Sequence, residues 1–162
     1  MRATSLVIVM LLLMVSQPAQ AIWVQTNGPS GGDVDCLAAM GGNIFAGSAI
    51  HGVYVTSNDG YTWNNYSNVL VNKSVMALAV VGDSVFAGSQ YDGVYLSTDI
   101  GVSWTPVNNG IGNYAITALA VRDTFIYAGT LHAGVFRSST RTIKWDAMNV
   151  GLSNLNVQAL TV

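Results

Sequence analysis

The chain has 162 residues and a formal net charge of −2, with only 9% charged residues and no glutamate. This length corresponds to a single domain. The few basic residues are scattered, which excludes the clustered positive charge that nucleic acids and anionic membrane surfaces require.

Residues 1–21 have the three parts of a secretory signal peptide. Arg2 supplies the positive start, residues 6–15 are continuously apolar, and residues 19–21 (Ala-Gln-Ala) place small side chains before a cut. The apolar run is shorter than the roughly 20 residues that cross a bilayer. We expect cleavage after Ala21 and no membrane span thereafter; an uncleaved anchor is the alternative. The single Cys36 cannot form an internal disulfide, which favours a bacterial protein, secreted, periplasmic or on the cell surface.

Four columns of residues then recur at a spacing of 41. They are Leu37, Leu78, Leu119 and Leu160; Phe45, Phe86 and Tyr127; Gly52, Gly93 and Gly134; and Trp63, Trp104 and Trp145. A fixed period of this length is the mark of a repeat architecture, and this one shows no helical spacing.

Each unit contains four strand patterns, which we name a to d. In the second unit they are residues 75–81, 85–89, 93–98 and 103–107. Strand a is apolar throughout, which predicts burial on both faces, and Pro106 in strand d is typical of an edge. Strand a is therefore expected innermost and strand d outermost in each blade. The prediction is an all-β β-propeller with four-stranded antiparallel blades.

The predicted blades leave the ring incomplete. Because residues 23–28 resemble residues 104–110, we read residues 22–32 as a lone strand d. Three blades follow, and then a first strand a of a further blade: residues 33–73, 74–114, 115–155 and 156–162. Rings have four to eight blades, so about three and a half cannot close. We expect the chain to be a fragment of a longer protein whose remaining blades cover the open faces; assembly with a second copy is the alternative.

The turn before each tryptophan carries a family resemblance. Residues 56–63 (TSNDGYTW) and 97–104 (STDIGVSW) fit [ST]-x-[DN]-x-G-x-[ST]-W, and residues 138–145 (SSTRTIKW) keep only the serine and the tryptophan. The pattern resembles the Asp-box, or BNR, repeat of sialidases, sortilin, some xyloglucan-active glycosidases and photosystem II assembly-factor-like propellers. Under this resemblance the motif residues are structural: Thr56, Asn58, Gly60, Thr62, Trp63, Ser97, Asp99, Gly101, Ser103, Trp104, Ser138 and Trp145.

The sequence contains no convincing catalytic, cofactor or metal motif. Residues 28–32 fit G-x-S-x-G and residues 110–115 fit G-x-G-x-x-A, but each precedes a strand, whereas both motifs require a helix next. Two histidines in separate units are too few for a metal site. The sialidase Arg-Ile-Pro signature is absent. A glycosidase using two of Asp33, Asp35 and Asp92 remains open as the alternative function.

A binding function is favoured instead, through the b–c and d–a loops. These loops are rich in Tyr and Asn, which suit contact with a protein or a glycan; the competing interpretation is that the asparagines only form turns. The candidate ligand face consists of His51, Tyr66, Tyr91, Asp92, Tyr114 and His132. We predict an exported, non-enzymatic scaffold or interaction module without a cofactor.

Overall fold

The computed structural model describes residues 25–30 and 33–162, and its regular structure is β apart from one short 3-10 helix, Asn68–Leu70. Three four-stranded antiparallel sheets follow one another along the chain, each in the order a–b–c–d. Within the described residues the sheets form no closed barrel. The predicted all-β fold is thus confirmed as a partial propeller of about three blades. Residues 1–21, predicted as a signal peptide, lie outside the described residues, as does Trp23.

The strands lie close to where the repeat predicts them. Sheet 1 contains β1 (Val34–Met40), β2 (Asn43–Ser48), β3 (Gly52–Thr56) and β4 (Asn64–Asn65). Sheet 2 contains β5 (Val75–Val81), β6 (Ser84–Ser89), β7 (Gly93–Ser97) and β8 (Thr105–Pro106). Sheet 3 contains β9 (Ile116–Arg122), β10 (Phe125–Thr130), β11 (Val135–Ser139) and β12 (Trp145–Ala147). Pro106 lies in the edge strand β8, where no further strand needs its missing N–H.

Every strand a carries the same bulge near its start. The pairing with strand b skips one residue in each sheet, at Asp35, Met76 and Thr117. A bulge of this kind bends the strand and re-aims the neighbouring side chain. Its recurrence at the 41-residue spacing shows that the three sheets share backbone geometry as well as sequence.

The sheets stack through their innermost strands. β1 contacts β5, and β5 contacts β9, while β2 and β6 contact the strand a of the sheet that follows. Val75, Ala77 and Ala79 of β5 are buried, and the other four residues of the strand are half-buried. The predicted burial of both faces is therefore only partial.

Two apolar cores fill the spaces between the sheets. Between sheets 1 and 2 lie Phe45, Val53, Val55, Leu70, Val75, Val85, Ala87, Tyr95 and Trp104. Between sheets 2 and 3 lie Ala79, Phe86, Val94, Ile111, Ile116, Ile126, Ala128, Phe136 and Trp145. Each core thus combines strands of one sheet with strands a, b and c and the tryptophan of the next.

A glycine in strand b lets neighbouring sheets approach closely. A Cβ at Gly47 would lie 2.9 Å from a Val75 methyl, and one at Gly88 would lie 2.5 Å from an Ile116 methyl. Val75 and Ile116 start strands a and are fully buried, whereas the equivalent Val34 in sheet 1 is 41% exposed. Leu37, at 64%, is exposed on the same strand. The strand a part of the outer face of sheet 1 is therefore uncovered in the described structure, whereas Tyr54 of strand c is 6% exposed and donates to the Ser30 carbonyl at 2.7 Å.

Candidate functional site

The first two c–d turns, residues 56–63 and 97–104, share one hydrogen-bond ring. The hydroxyl of Thr56 accepts from the Gly60 N–H at 3.0 Å, and that of Ser97 from the Gly101 N–H at 2.8 Å. Both glycines have positive φ, 83° and 81°, which explains their presence. The ring closes the turn through hydrogen bonds among the motif residues themselves.

The acidic or amide residue of each turn completes the ring. Asn58 Oδ1 accepts from the Thr62 N–H at 3.0 Å, and Asp99 Oδ1 accepts from the Ser103 N–H at 2.8 Å. In the second turn the Ser103 hydroxyl also donates to Asp99 Oδ2 at 2.6 Å. These bonds, led by that of the Ser103 side chain, lower the pKa of Asp99 below its usual range.

The third turn, residues 138–145, has a different arrangement because it lacks the Asp and the Gly. Here the Ser138 hydroxyl accepts from the Lys144 N–H at 2.9 Å. The loop also donates from the Thr140 N–H to the Thr124 carbonyl at 2.9 Å. The retained serine therefore still ties the turn together, but through a new partner.

Asp99→Asn tests the charge on the second turn. Because the folded-state pKa of Asp99 is lowered, its ionised form stabilises the fold above the unfolded pKa, and this contribution disappears as the pH falls through the folded pKa. We expect Asp99→Asn to lower the free energy of unfolding by no more than about 1 kcal/mol near pH 7. The difference from wild type should shrink below about pH 4. Urea unfolding at several pH values measures it.

The equivalent residue of the first turn provides the control. Asn58 already forms the ring as an amide, with Nδ2 donating to the Thr62 hydroxyl at 2.9 Å. Asn58→Asp should therefore introduce the pH dependence that Asp99→Asn removes. If both variants kept the wild-type pH profile, the charge would have no role in the turn.

A second set of hydrogen bonds recurs at the opposite end of the blades, where the b–c and d–a loops meet. In all three units one side chain of the d–a loop accepts a hydrogen bond from the N–H of the valine that follows the repeated glycine at residue 52, 93 or 134. Ser67 accepts from the Val53 N–H at 2.7 Å, Asn108 from the Val94 N–H at 2.7 Å, and Asn149 from the Val135 N–H at 2.8 Å.

The same three side chains also bond the b–c turn. Ser67 donates to the His51 carbonyl at 3.1 Å, Asn108 to the Asp92 carbonyl at 2.8 Å, and Asn149 to the Ala133 carbonyl at 2.9 Å. We call this pair of bonds the loop clasp. It shows that Asn108 serves the turn rather than a ligand. Ser67, Asn108 and Asn149 form a fifth column at the 41-residue spacing in the sequence. The column does not stand out because its first member is a serine and the other two are asparagines.

Asn108→Ala should be destabilising because it removes both bonds of one clasp. It leaves the Val94 N–H and the Asp92 carbonyl without their partner, at a cost of about 1–3 kcal/mol. Asn108→Ser should recover part of the loss, since Ser67 makes both bonds in the first unit. Thermal unfolding of the two variants compares them. An Asn108→Ala variant as stable as wild type would show that the clasp contributes nothing.

Apart from Tyr66, the predicted ligand residues lie on this loop face, and the six residues do not converge on one pocket. Tyr91, 71% exposed, projects from the second b–c loop. Asp92 accepts from Lys73 Nζ at 2.8 Å, and this hydrogen bond raises the pKa of Lys73. The ion pair neutralises the carboxylate that was a candidate catalytic group. His51 is half-buried, and its carbonyl rather than its ring takes part in the loop clasp.

The remaining predicted residues are spread over different blades. His132 is exposed in the third b–c loop. Tyr114 lies beside Phe136, with ring centroids 5.9 Å apart. Tyr66 lines a shallow depression with Asp99 and Ile100 of the next blade, towards the c–d turns. The structure therefore presents separate exposed side chains rather than an enclosed site.

The described part of the chain gives little support for a metal site, a reactive thiol or a membrane-spanning helix. Its His, Cys and Asp residues form no group of three that could hold a metal ion. Burial raises the pKa of the Cys36 thiol to about 12, so the thiol stays protonated. None of the described helices is long and apolar enough to cross a membrane.

No protein-family model and no curated protein matches the chain. Solved structures do resemble it. The crystal structure of the computationally designed Ika4 protein superposes with a TM-score of 0.62 at 20% sequence identity, covering 85% of this chain and 84% of Ika4.

Two glycoside hydrolase structures are also similar. An ancestral GH74 enzyme gives a TM-score of 0.60 at 16% identity over 71% of this chain, and the GH74 enzyme of Niastella koreensis gives 0.56 at 18% over 65%. The chain spans only 18% and 19% of the length of these enzymes. At such identities the likeness supports the propeller-like fold and leaves the activity open.

Proposed function

We propose that the chain is an exported, non-enzymatic propeller segment of the BNR/Asp-box type that acts as a scaffold or binding module. The hydrogen-bond rings at Thr56–Thr62 and Ser97–Ser103 support the assignment of the repeat, because they use the motif residues to close the turn. The signal-like residues 1–21 support export.

The binding role is supported by a contrast within the repeat: the residues that hold the loops recur in the three units, whereas the residues at the loop tips differ. The clasp residues and the glycines that start strands c recur at the 41-residue spacing, whereas the tips of the b–c loops do not. The equivalent tips are Ile50, Tyr91 and His132, three different chemistries, and all are exposed. The clasps bond the backbone of the b–c loops and do not use the tip side chains. These side chains therefore remain available to contact a partner.

The composition around the tips suits a protein or glycan partner. Val69 and Val71 are exposed on the first d–a loop, and Tyr114 is exposed on the second. Aromatic and aliphatic side chains separated by polar loops are typical of protein-binding surfaces, and exposed Tyr also stacks on sugars. The loop face is therefore assigned as the binding surface of the module.

A triple substitution at the loop tips tests this function. Ile50→Asp, Tyr91→Ala and His132→Ala together should abolish capture of partners cross-linked in envelope extracts and of glycans on an array. The matched control alters the a–b turns at the other end of the strands, with Gly42→Asp, Asp83→Ala and Asp123→Asn. Ligands retained by the tip variant, or lost equally from both variants, would contradict the assignment.

A carbohydrate-active enzyme is the second candidate, favoured by the fold shared with the GH74 structures. Asp33 and Asp35 are exposed near the start of β1 and belong to the same loop face as Asp92. Hydrolysis of aryl glycosides that vanished in Asp33→Asn, Asp35→Asn or Asp92→Asn would establish this function in place of the binding module.

A further inference from the structure

The depression between blades 1 and 2 at the c–d end has an exposed apolar lining. Tyr66, Ile100 and Val102 line it, and all three are exposed. Its volume is about 240 Å³, which accommodates one long side chain. We call it the blade 1–2 groove. It lies between two four-stranded sheets and is therefore a surface of the described fold itself.

Ile100 holds an exposed position that suits a polar residue better. Its φ is 58°, in the left-handed region, where a β-branched side chain is an outlier. The equivalent residue of the first turn is Asp59, with a φ of 55°, and aspartate tolerates this region. The groove therefore keeps an apolar side chain at a cost to the stability of the turn, which points to a contact with a partner.

The groove also carries negative charge. Asp99 lines it together with Ile100, and Asp83 lines the adjoining depression, which shares both residues. Among the described residues no Lys or Arg lines either depression. Ser97 and Ser103 occupy three of the roughly four acceptor positions of the Asp99 carboxylate, so one on Oδ2 remains for an outside donor. An apolar groove with a carboxylate at its rim matches arginine, whose stem packs on apolar surface and whose guanidinium pairs with carboxylates.

The c–d turn of blade 3 has the complementary charge. Arg141 and Lys144 are exposed there, and Arg141 stands where the second turn has Ile100. Neither cation takes part in an ion pair within the described structure. The turn is fixed to its own blade, because the Thr140 N–H donates to the Thr124 carbonyl at 2.9 Å. Blade 3 therefore presents two positive charges on a bonded turn at the same end of the strands as the groove.

We propose that the blade 1–2 groove binds the basic c–d turn, residues 138–145, of a second copy of this chain. The Arg141 stem packs on Ile100, and its guanidinium lies over the Tyr66 ring and donates to Asp99 Oδ2. Because the groove and the turn are both at the c–d end, two copies related by a twofold axis form the contact twice. The loop tips are at the opposite end of the strands, so this dimer does not depend on their binding role.

Sedimentation equilibrium of the purified chain at low and high salt, about 0.05 and about 0.5 M NaCl, tests the contact. We expect a monomer–dimer equilibrium whose dissociation constant rises at least about tenfold at the higher salt, because salt screens exposed charges. A chain that stays monomeric at both salt concentrations overturns the proposal, as does a dimer that salt does not weaken. A monomeric chain that instead binds a synthetic arginine-rich peptide also overturns it, since a different protein would then occupy the groove.

Two single substitutions disable opposite halves of the contact. Ile100→Asn removes the apolar side chain from the groove, and Arg141→Glu reverses the charge on the turn; each should weaken the dimer at least about tenfold. Ile100→Asn should not lower the free energy of unfolding, because asparagine tolerates the left-handed region. The matched control is Arg122→Glu, which makes the same charge change at an exposed side chain at the end of β9 and should leave association close to wild type. Equal weakening by the two glutamate variants contradicts the proposed contact.

Mixing the two weakened variants tests whether the groove and the turn meet. Ile100→Asn keeps an intact turn and Arg141→Glu keeps an intact groove, so one contact can form between them. The mixture should therefore form heterodimers more tightly than either variant forms dimers alone. A mixture that associates no more strongly than its components shows that the two surfaces do not meet, and the proposal is then wrong.

Discussion

Trp104→Ala is expected to lower the free energy of unfolding by about 3–5 kcal/mol, the range for truncating a large buried aromatic residue. Trp104 is only 4% exposed. It belongs to the core between sheets 1 and 2, so its loss opens a cavity that involves both sheets. Denaturant unfolding followed by far-UV circular dichroism measures the change.

Trp63 is the matched comparison, because it occupies the same position in the repeat without the same surroundings. It is half-buried, and the described structure provides no sheet before sheet 1 to cover it. Trp63→Ala should therefore cost only about 1–2 kcal/mol, in proportion to the smaller apolar area that it removes from water. Similar losses for Trp63 and Trp104 would contradict the assignment of sheet 1 as the uncovered end.

Phenylalanine substitutions separate packing from hydrogen bonding at the two positions. Trp104 Nε1 donates to the Gly101 carbonyl at 3.0 Å, so Trp104→Phe leaves that buried carbonyl unpaired at a cost of about 1–3 kcal/mol. Trp63 Nε1 is buried without a partner in the described structure, so Trp63→Phe removes an unsatisfied donor. The second substitution should be nearly neutral or slightly stabilising.

The strands and their order could be predicted from the sequence because the signal repeats. Leu37, Leu78 and Leu119 fix the register of three strands a, and the glycines at the starts of strands c fix the turns that precede them. An isolated unit would have given a weaker prediction, since short apolar runs do not distinguish a strand from a buried helix. Repetition at one spacing removes that ambiguity.

The loop clasp was missed because it depends on side-chain function rather than residue identity. Ser67 and Asn108 make the same two bonds, but a search for identical residues does not align a serine with an asparagine. The uncovered faces were expected from the blade count. The column formed by Val55, Leu96 and Arg137 at the 41-residue spacing was also present in the sequence, and it distinguishes strand c of sheet 3 by a charge.

Gly88→Val should destabilise the fold by about 3 kcal/mol, the upper end of the usual cost of overpacking a core. Valine suits a strand, and the φ of Gly88 lies outside the left-handed region, so backbone strain does not contribute. The effect comes from Ile116, whose Cγ2 and Cβ lie 2.5 and 2.9 Å from the position of the new Cβ. Ile116 is fully buried in β9 and cannot withdraw without separating sheets 2 and 3.

Gly129→Val introduces the same side chain at the equivalent position of sheet 3 and serves as the control. Here the obstructing side chain is Val157, in a segment that is paired with no other strand. The segment can leave the sheet, so the loss of global stability should stay below about 1 kcal/mol. Amide hydrogen exchange in residues 156–162 should nevertheless become fast. If Gly129→Val were as destabilising as Gly88→Val, residues 155–162 would be an integral part of the folded core, because a merely seated strand could yield to the new side chain.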